Sequence, residues 1–403
     1  MSNESQATLP VDWKIQQLAE LGVPVRGGSP RPAGDPRFFN GSYIPWLTVA
    51  SLTGIPDSQL TVNETATHLT QEGALRSRTL TPGTLIIANS GATLGIAKVL
   101  GIQCCANDGI AALLNPLPDI DVRYLAYFIN TQTKLLRDVV ATGNGQPNLN
   151  TGLIGAINIP VPASIIEQRK IANSLTDVDD LIRGFDQLIA KKRDIQQAAM
   201  QQLLTGQRRL PGFSGEWEVK RFGEVVVCRS ERVDPRSAGR QEFCVELEHI
   251  EARTGRLIGQ TVADESSSLK TVFKRKDVLF GKLRAYQRKY WLAERGGVCS
   301  TEIWALSCDA NFLLPEFLYH TVKTDAFIEV ASTAYGTHMP RSDWKVVAQF
   351  EVSLPTCEEQ AAIASILSDM DTEIATLETR RKKALQLKQG MMQELLTGRI
   401  RMI

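Results

Sequence analysis

The sequence predicts an α+β protein built from two copies of one unit, each a globular module followed by a long helix. Three observations predict it. Residues 167–206 align without a gap onto residues 359–398 at an offset of 192, with 16 of 40 positions identical. The likeness runs back into the stretches before them at an offset of 193, where 84–87 falls on 277–280, Tyr124-Leu125 on Phe317-Leu318 and Pro147 on Pro340. Both aligned tails are polar, proline-free and periodic in their apolar residues, whereas the preceding stretches alternate short apolar runs with turn-rich loops.

At the front of the first copy, Trp13-x4-Leu18-x-Glu20 answers Trp217-x4-Phe222-x-Glu224 at an offset of 204. The change of offset predicts that one loop near the front of the first module differs in length by about eleven residues. Apolar runs at 44–49, 84–88 and 96–100, and at 245–247 and 278–280, read as strands. One helix is expected before the last strand of each copy, over 122–140 and 315–331, with Pro315 as a first helical residue. Ile157-x-Ile159-x-Val161 alternates like a strand, and Pro162 stops it.

Each tail then reads as one helix. Ile171, Leu175, Val178, Ile182, Phe185 and Ile189 recur at spacings of four and three, as do Ile363, Leu367, Met370, Ile374 and Leu377. Gly206 and Gly398 stand where a helix-terminating glycine belongs. So long a helix needs a partner for its apolar stripe, and charge gives the direction. Acids come early (Asp177, Asp179, Asp180; Asp369, Asp371, Glu373) and bases late (Lys191, Lys192, Arg193; Arg380, Arg381, Lys382, Lys383, Lys388). Antiparallel packing sets acids against bases and opposes the two helix dipoles. The expected architecture is a pseudo-two-fold dumbbell: modules over 1–162 and 209–356, and helices over 163–208 and 357–403 paired as an antiparallel coiled coil; the plain alternative is two separate helices, each folded onto its own module.

The composition is that of an ordinary globular protein, 43% hydrophobic and 22% charged. No apolar run approaches a membrane span, and the N-terminus has neither the basic start nor the apolar core of a signal peptide. Seven cysteines without a C-x-x-C pair suit a reduced, cytoplasmic protein. Catalytic signatures fail one by one. Asn115-Pro116-Leu117-Pro118 lacks the aromatic residue an amino-methyltransferase would place over a flipped base. The stretch 90–98 has the wrong glycine spacing for a phosphate loop. Glu218-Val219-Lys220 has no Pro-Asp partner in its own module, and the four histidines make no metal spacing. No catalysis and no bound cofactor or metal are expected of this chain.

A binding surface is expected instead. Residues 270–295 hold nine bases against two acids, interleaved with Phe273, Phe280, Tyr286, Tyr290 and Trp291. Arginine and lysine reach phosphates and guanine edges, so Lys274, Arg275, Lys276, Lys282, Arg284, Tyr286, Arg288 and Lys289 are candidate DNA contacts. The plain alternative is a solvated basic face around a buried strand. In the first copy the candidates are Arg26, Arg31 and Arg37 in the front loop, with Arg76, Arg78 and Lys98. Similar scaffolds with different loops suit two reading heads for different sequences. With a net charge of only +1, a chain that binds DNA either concentrates its charge locally or leaves the rest of the phosphate contacts to partners.

With these residues in view, the chain resembles the specificity subunit of type I restriction-modification systems over essentially its whole length. The likeness rests on Gly27-Gly28-Ser29-Pro30 with Ile44-Pro45-Trp46-Leu47-Thr48, on the run 143–150 followed by Ile159-Pro160-Val161-Pro162 and Glu167-Gln168, and on the repeated helix ending LLTG-x-x-R. The second copy departs from it, with 336–341 replacing the Asn/Gln-rich run and no Gly-Gly-Ser-Pro. The resemblance implies two target-recognition domains, each reading half of a bipartite sequence in double-stranded DNA through the major groove. It implies helices that set the gap and dock two methyltransferase subunits, joined by restriction-translocase subunits. S-adenosylmethionine, ATP and Mg2+ would sit on those partners. The rival readings are a coiled-coil scaffold that never touches DNA and a self-contained modification enzyme, for which no cofactor motif is present.

Overall fold

The computed structural model describes residues 9–91, 93–141, 147–333 and 340–403. They form two compact units. One holds the first module with the start of the first long helix and Glu378–Ile403; the other is Leu188–Leu377. No helix among the described residues is long and apolar enough to cross a membrane.

In the first unit a five-stranded sheet runs in the order Val23–Arg26, Ile110–Leu114, Leu85–Ala88, Ala97–Leu100, Thr61–Val62. A four-stranded sheet orders Thr67–Leu69, Phe39–Leu47, Cys104–Ala106 and Arg78–Leu80. Leu85–Ala88 is apolar at every position because both its faces are covered. Leu85 and Ile87 point to a core shared with the helix Val122–Thr131, while Ile86 and Ala88 point to a second core with Leu47, Leu100 and Cys104. The other unit repeats this: Val278 and Phe280 of Val278–Gly281 enter one core and Leu279 the other. In each unit the first and last strands close a two-stranded antiparallel pair, Trp13–Gln17 with Asn158–Pro162 and Glu218–Arg221 with Glu351–Leu354.

Three expectations need correction. The length difference between copies is not in one loop. Strand pairing sets Trp46 opposite Cys105 as it sets Cys244 opposite Val298, an offset of 198 at the inner strand, which lies between the 204 of Trp13/Trp217 and the 193 that follows. Six residues therefore differ before that strand and five after it. The helices expected over 122–140 and 315–331 are both interrupted. The first stops at Thr131 and resumes as Thr133–Leu135 and a wider-wound Leu136–Val140. The second splits into Pro315–Thr321 and Asp325–Ser332, because the Thr324 hydroxyl caps the new helix by accepting from Phe327 N–H. Finally, residues 247–249 form a 3-10 turn after the strand Gln241–Val245.

The long helices are Ile165–Leu204, 40 residues, and Cys357–Leu395, 39 residues. Each ends before a glycine in the left-handed region, Gly206 at φ +71° and Gly398 at φ +73°. Their apolar stripes have two kinds of cover. Ile171 and Leu175 sink into the core of the first module and Ile363 and Leu367 into that of the second. Further along, Val178 and Ile182 meet Ala384. Pairing is antiparallel in both units. Lys388 meets Asp179 at 2.6 Å and Arg381 meets Asp186 in the first; Gln196 bonds Asp371 at 2.8 Å and Lys192 meets Glu373 at 2.7 Å in the second. Leu395 and Leu396, from the end of the second helix, complete the first unit's core, and Leu203 and Leu204 complete the second's.

The repeated Glu-Gln pairs are buried and hold each unit closed. Gln168 accepts from Asp121 N–H at 2.9 Å and donates to the Asp119 and Pro162 carbonyls; Gln360 does the same with Leu314, Phe312 and Pro355. The Glu167 carboxylate accepts from Trp13 Nε1 at 3.4 Å and from Arg401 at 2.7 and 2.8 Å. Glu359 accepts likewise from Trp217 at 3.3 Å and from Arg209 at 2.7 Å. Those arginines are the last residues of the two LLTG-x-x-R runs. Arg401 also grips Asp12, at 2.6 and 2.8 Å, whereas Glu359 is the one carboxylate on Arg209 among the described residues.

Glu359→Gln should therefore destabilise more than Glu167→Gln, the latter by about 2 kcal/mol, as read by urea unfolding of each variant. The Glu167 contribution should also depend on acid. Hydrogen bonds from Arg401 hold its carboxyl below the ordinary value of 4.5, against the opposing effect of burial. Stability from a depressed carboxyl is fully present above its unfolded value and is lost as pH falls through the folded one. The gap between wild type and Glu167→Gln should stay constant above about pH 5 and shrink below it.

Candidate nucleic-acid interface

The hairpin Val278–Gly281 and Tyr290–Leu292 turns through residues 282–289, and this loop is stitched to two others. Ser342 N–H donates to the Lys282 carbonyl at 2.9 Å, Arg284 N–H to Pro340 at 2.9 Å, and Leu283 bridges Arg341. Lys282 N–H donates to the Glu302 carbonyl at 3.0 Å, and Arg341 Nε reaches the Glu302 carboxylate at 2.8 Å. Arg284 and Arg288 both take left-handed backbone, φ +55° and +56°, on either side of the turn Ala285–Gln287. Side chains rarely tolerate that conformation, and here the stitches impose it. Ala285 is buried beneath the loop, while Arg284 and Tyr286 face out.

The first module builds the same end from different residues. Leu149 N–H donates to Asn89 at 2.8 Å, Asn89 N–H to Gly109 at 3.0 Å, and Ser90 bridges Asn148. Each position matches its second-copy partner at the offset of 193: Asn89 with Lys282, Ser90 with Leu283, Gly109 with Glu302, Asn148 with Arg341, Leu149 with Ser342. Around this end lies the front loop. Arg26 Nε donates to the Asp108 carbonyl at 2.6 Å, while Ser29 at 2.5 Å and Arg31 at 3.2 Å hold the Asp108 carboxylate. The Ser29 hydroxyl bond, with Arg26 and Arg31 nearby, keeps that carboxyl below its ordinary value despite partial burial. Gly27 lies so close to Asn107 that a Cβ would sit 2.1 Å from its carbonyl oxygen, which accounts for a glycine there.

Of the candidates in the first module, Arg26, Arg31 and Arg78 are brought together, Arg78 Nε donating to the Arg26 carbonyl at 3.0 Å. Arg37 and Arg76 form a neighbouring pair over the Phe38 ring, at 5.2 and 4.7 Å, tied to Asp35 and Glu72. Lys98 does not belong to the surface. It is 2% exposed, its ammonium held by the Pro56 and Gln59 carbonyls at 2.9 and 2.6 Å, and burial lowers its pKa to about 8. An apolar strand with one lysine reads from sequence as a strand with a solvent-facing base. Here the stem is buried and backbone oxygens satisfy the head.

The basic stretch of the second module is not one face. Lys274, Arg275 and Lys276 occupy the turn before Val278–Gly281, at the opposite end of that strand from Lys282, Arg284 and Tyr286. Lys276 pairs with Glu316 at 3.1 Å, and Lys270 is buried on Glu246 at 2.5 Å. Arg288 is engaged by Asp325 and the Lys323 carbonyl, and Lys289 donates to Leu247 at 2.6 Å, so both brace the loop. His249 closes its own turn, Nδ1 accepting from Glu246 N–H at 3.0 Å. Residues 143–146 and 336–339, with His338, lie outside the described residues. Sequence reasoning missed Arg341, Glu302 and Asp108. The alignment of Pro147 on Pro340 carried the signal, since it sets Arg341 beside the loop as it sets Asn148.

No cluster of potential metal ligands occurs among the described residues, and all seven cysteines are unpaired. Lys220, of the nuclease-like Glu218-Val219-Lys220, pairs with Glu218 at 3.2 Å and covers the Phe312 ring.

Comparison with known proteins gives one answer. The family described as type I restriction modification DNA specificity domain matches residues 10–191 and again 214–387. The MjaVIII specificity subunit of Methanocaldococcus jannaschii is 22% identical, over 98% of this chain and 94% of its own length. The EcoDI specificity subunit of Escherichia coli is 25% identical over 48% of this chain and 44% of its own. Among solved structures, the S subunit of a type I restriction-modification system from M. genitalium shares the fold at TM-score 0.62 and 13% identity, covering 98% of both chains. A chain from a type I system solved for complex assembly and conformational transition does so at TM-score 0.59 and 16% identity, over 98% of this chain and 100% of its own. With both of its modules matched, the chain belongs to the type I restriction-modification DNA specificity family.

Proposed function

We propose that this chain is the non-catalytic specificity subunit of a type I restriction-modification complex, each module reading one half of a bipartite DNA sequence. The observation that carries the reading is the stitched loop end, whose backbone bonds recur in both modules while its outward side chains differ. Asn148, Arg26, Arg31 and Arg78 stand at one, and Lys282, Arg284, Tyr286 and Arg341 at the other. Conserved support beneath altered side chains suits two heads that hold DNA alike and read it differently. The paired helices set the gap between half-sites and dock two methyltransferase subunits, with restriction-translocase subunits joining for cleavage. S-adenosylmethionine, ATP and Mg2+ belong to those partners, and the complex works in the cytoplasm. A coiled-coil scaffold that never meets DNA is not favoured, since it leaves both loop ends without a role.

Co-expression with an amino-methyltransferase subunit, followed by sequencing of methylated sites, tests the function directly. A bipartite motif should appear that neither protein produces alone; methylation by this chain with DNA and S-adenosylmethionine only would overturn the proposal. The same assay locates the reading end. Arg284→Ala should relax one base position in one half-site, at a cost of about 1–3 kcal/mol. Arg275→Ala, at the far end of the same strand, should leave the motif unchanged and at most weaken binding uniformly and in a salt-dependent way.

A further inference from the structure

Where the long helices meet each module, a buried polar node lies at the same place in both units. In the first, Tyr127 Oη bonds Thr176 at 3.2 Å and donates to Asp179 at 2.8 Å, and Lys388 from the opposing helix pairs with Asp179 at 2.6 Å. In the second, His320 bonds Ser368 at 3.1 Å, Lys323 grips Asp371 at 2.6 and 2.9 Å, and Gln196 from the opposing helix donates to Asp371 at 2.8 Å. His320 matches Tyr127 at the module offset of 193; Ser368, Asp371 and Lys388 match Thr176, Asp179 and Gln196 at the helix offset of 192. Burial, with Lys323 alongside, pushes the His320 imidazole well below its ordinary value, so it adds no charge.

Each node thus holds one carboxylate and one ammonium, but the ammonium comes from different places. Asp179 draws it from the opposing helix; Asp371 has it from its own module and takes a neutral amide across the seam. We infer that the helix pair is charge-matched only for unlike partners: the first long helix is built to meet the second, not another copy of itself. In a like pair of first helices, Gln196 would stand where Lys388 stands, leaving Asp179, 2% exposed, without its cation. Lys388 is the one partner of Asp179 Oδ1 among the described residues, so that oxygen would be stranded. In a like pair of second helices, Lys388 would meet Lys323 across one carboxylate. Lys98 and Asp57, the module charges beside the first node, are unchanged by the partner. The more exposed pairs point the same way with less weight, for in a like pair of first helices Asp186 would face Ile189 and Lys192 would face Leu181. By contrast, Arg209 and Arg401 are interchangeable and select nothing.

The test uses the full chain, folded and then cut at a protease site inserted after Gly212, whose surroundings are open. After the cut protein equilibrates in mild denaturant, native mass spectrometry counts like and unlike pairs of halves. The ratio of unlike to like pairs should exceed its statistical value of about one by about a hundredfold, because stranding a buried charge is costly; a statistical mixture would overturn the inference. The exchange Gln196→Lys with Lys388→Gln keeps composition and reverses the matching, so like pairs should now dominate, and an unchanged distribution would also overturn it. If cutting dissolves the helix pair, urea unfolding of the uncut chain decides. Lys388→Gln should lower the midpoint and adding Asp179→Asn should restore most of the loss; no effect of Lys388→Gln, or no restoration, counts against the node. None of these readouts involves DNA, so they stand apart from the proposed function.

Discussion

Everything in each unit converges on one buried carboxylate. Glu167 and Glu359 sit at the start of a long helix and accept from the tryptophan of the module's first strand and from an arginine that follows the other long helix. A carboxylate shut away from water must find its donors in fixed places. That requirement aligns three elements distant in sequence: first strand, helix start and returning tail. Each arginine lies three residues beyond a glycine that ends its helix, a spacing the two copies share.

Much of this was legible in the sequence, because duplication writes every structural demand twice. The Glu-Gln pairs and the LLTG-x-x-R endings stood out as the best-repeated residues, and charge order gave the antiparallel sense. What sequence did not show was that these motifs meet each other, since their partners lie 150 and 234 residues away. It also concealed the division of the apolar stripe. A spacing of four and three is the same whether a module or another helix covers it, so Ile171 and Ile182 look alike until the fold separates them. The helix breaks were hidden for a local reason: threonines at 131, 133, 321 and 324 bond nearby carbonyls or cap a new turn, an option that apolar periodicity does not register.

The candidate surface was read less well, and the reason is geometric. Nine bases within 26 residues look like one patch, yet a strand of four residues between two turns carries its flanking charges to opposite ends, about 13 Å apart at ~3.3 Å per residue. Composition counts residues along the chain, whereas a surface is assembled across it. The loop end emerges only when strand register brings 282–289, 300–302 and 340–342 together, three stretches whose sequences share nothing but their place in the repeat.

That loop end explains how a chain with a net charge of +1 suits the proposed role. Several of the arginines around it are not bare. Arg31 leans on Asp108, Arg37 on Asp35, Arg288 on Asp325 and Arg341 on Glu302. Each acid cancels part of the field that would draw in any duplex, so nonspecific attraction is low. The same acids fix where the guanidinium forks point, which lowers the entropy lost when a fork meets a base edge. An arginine braced this way gives little affinity and much discrimination, because a wrong base must separate an existing pair without replacing it. In the proposed role such a subunit would draw on the phosphate grip of partners to hold DNA, and that dependence would keep reading and modification in one assembly.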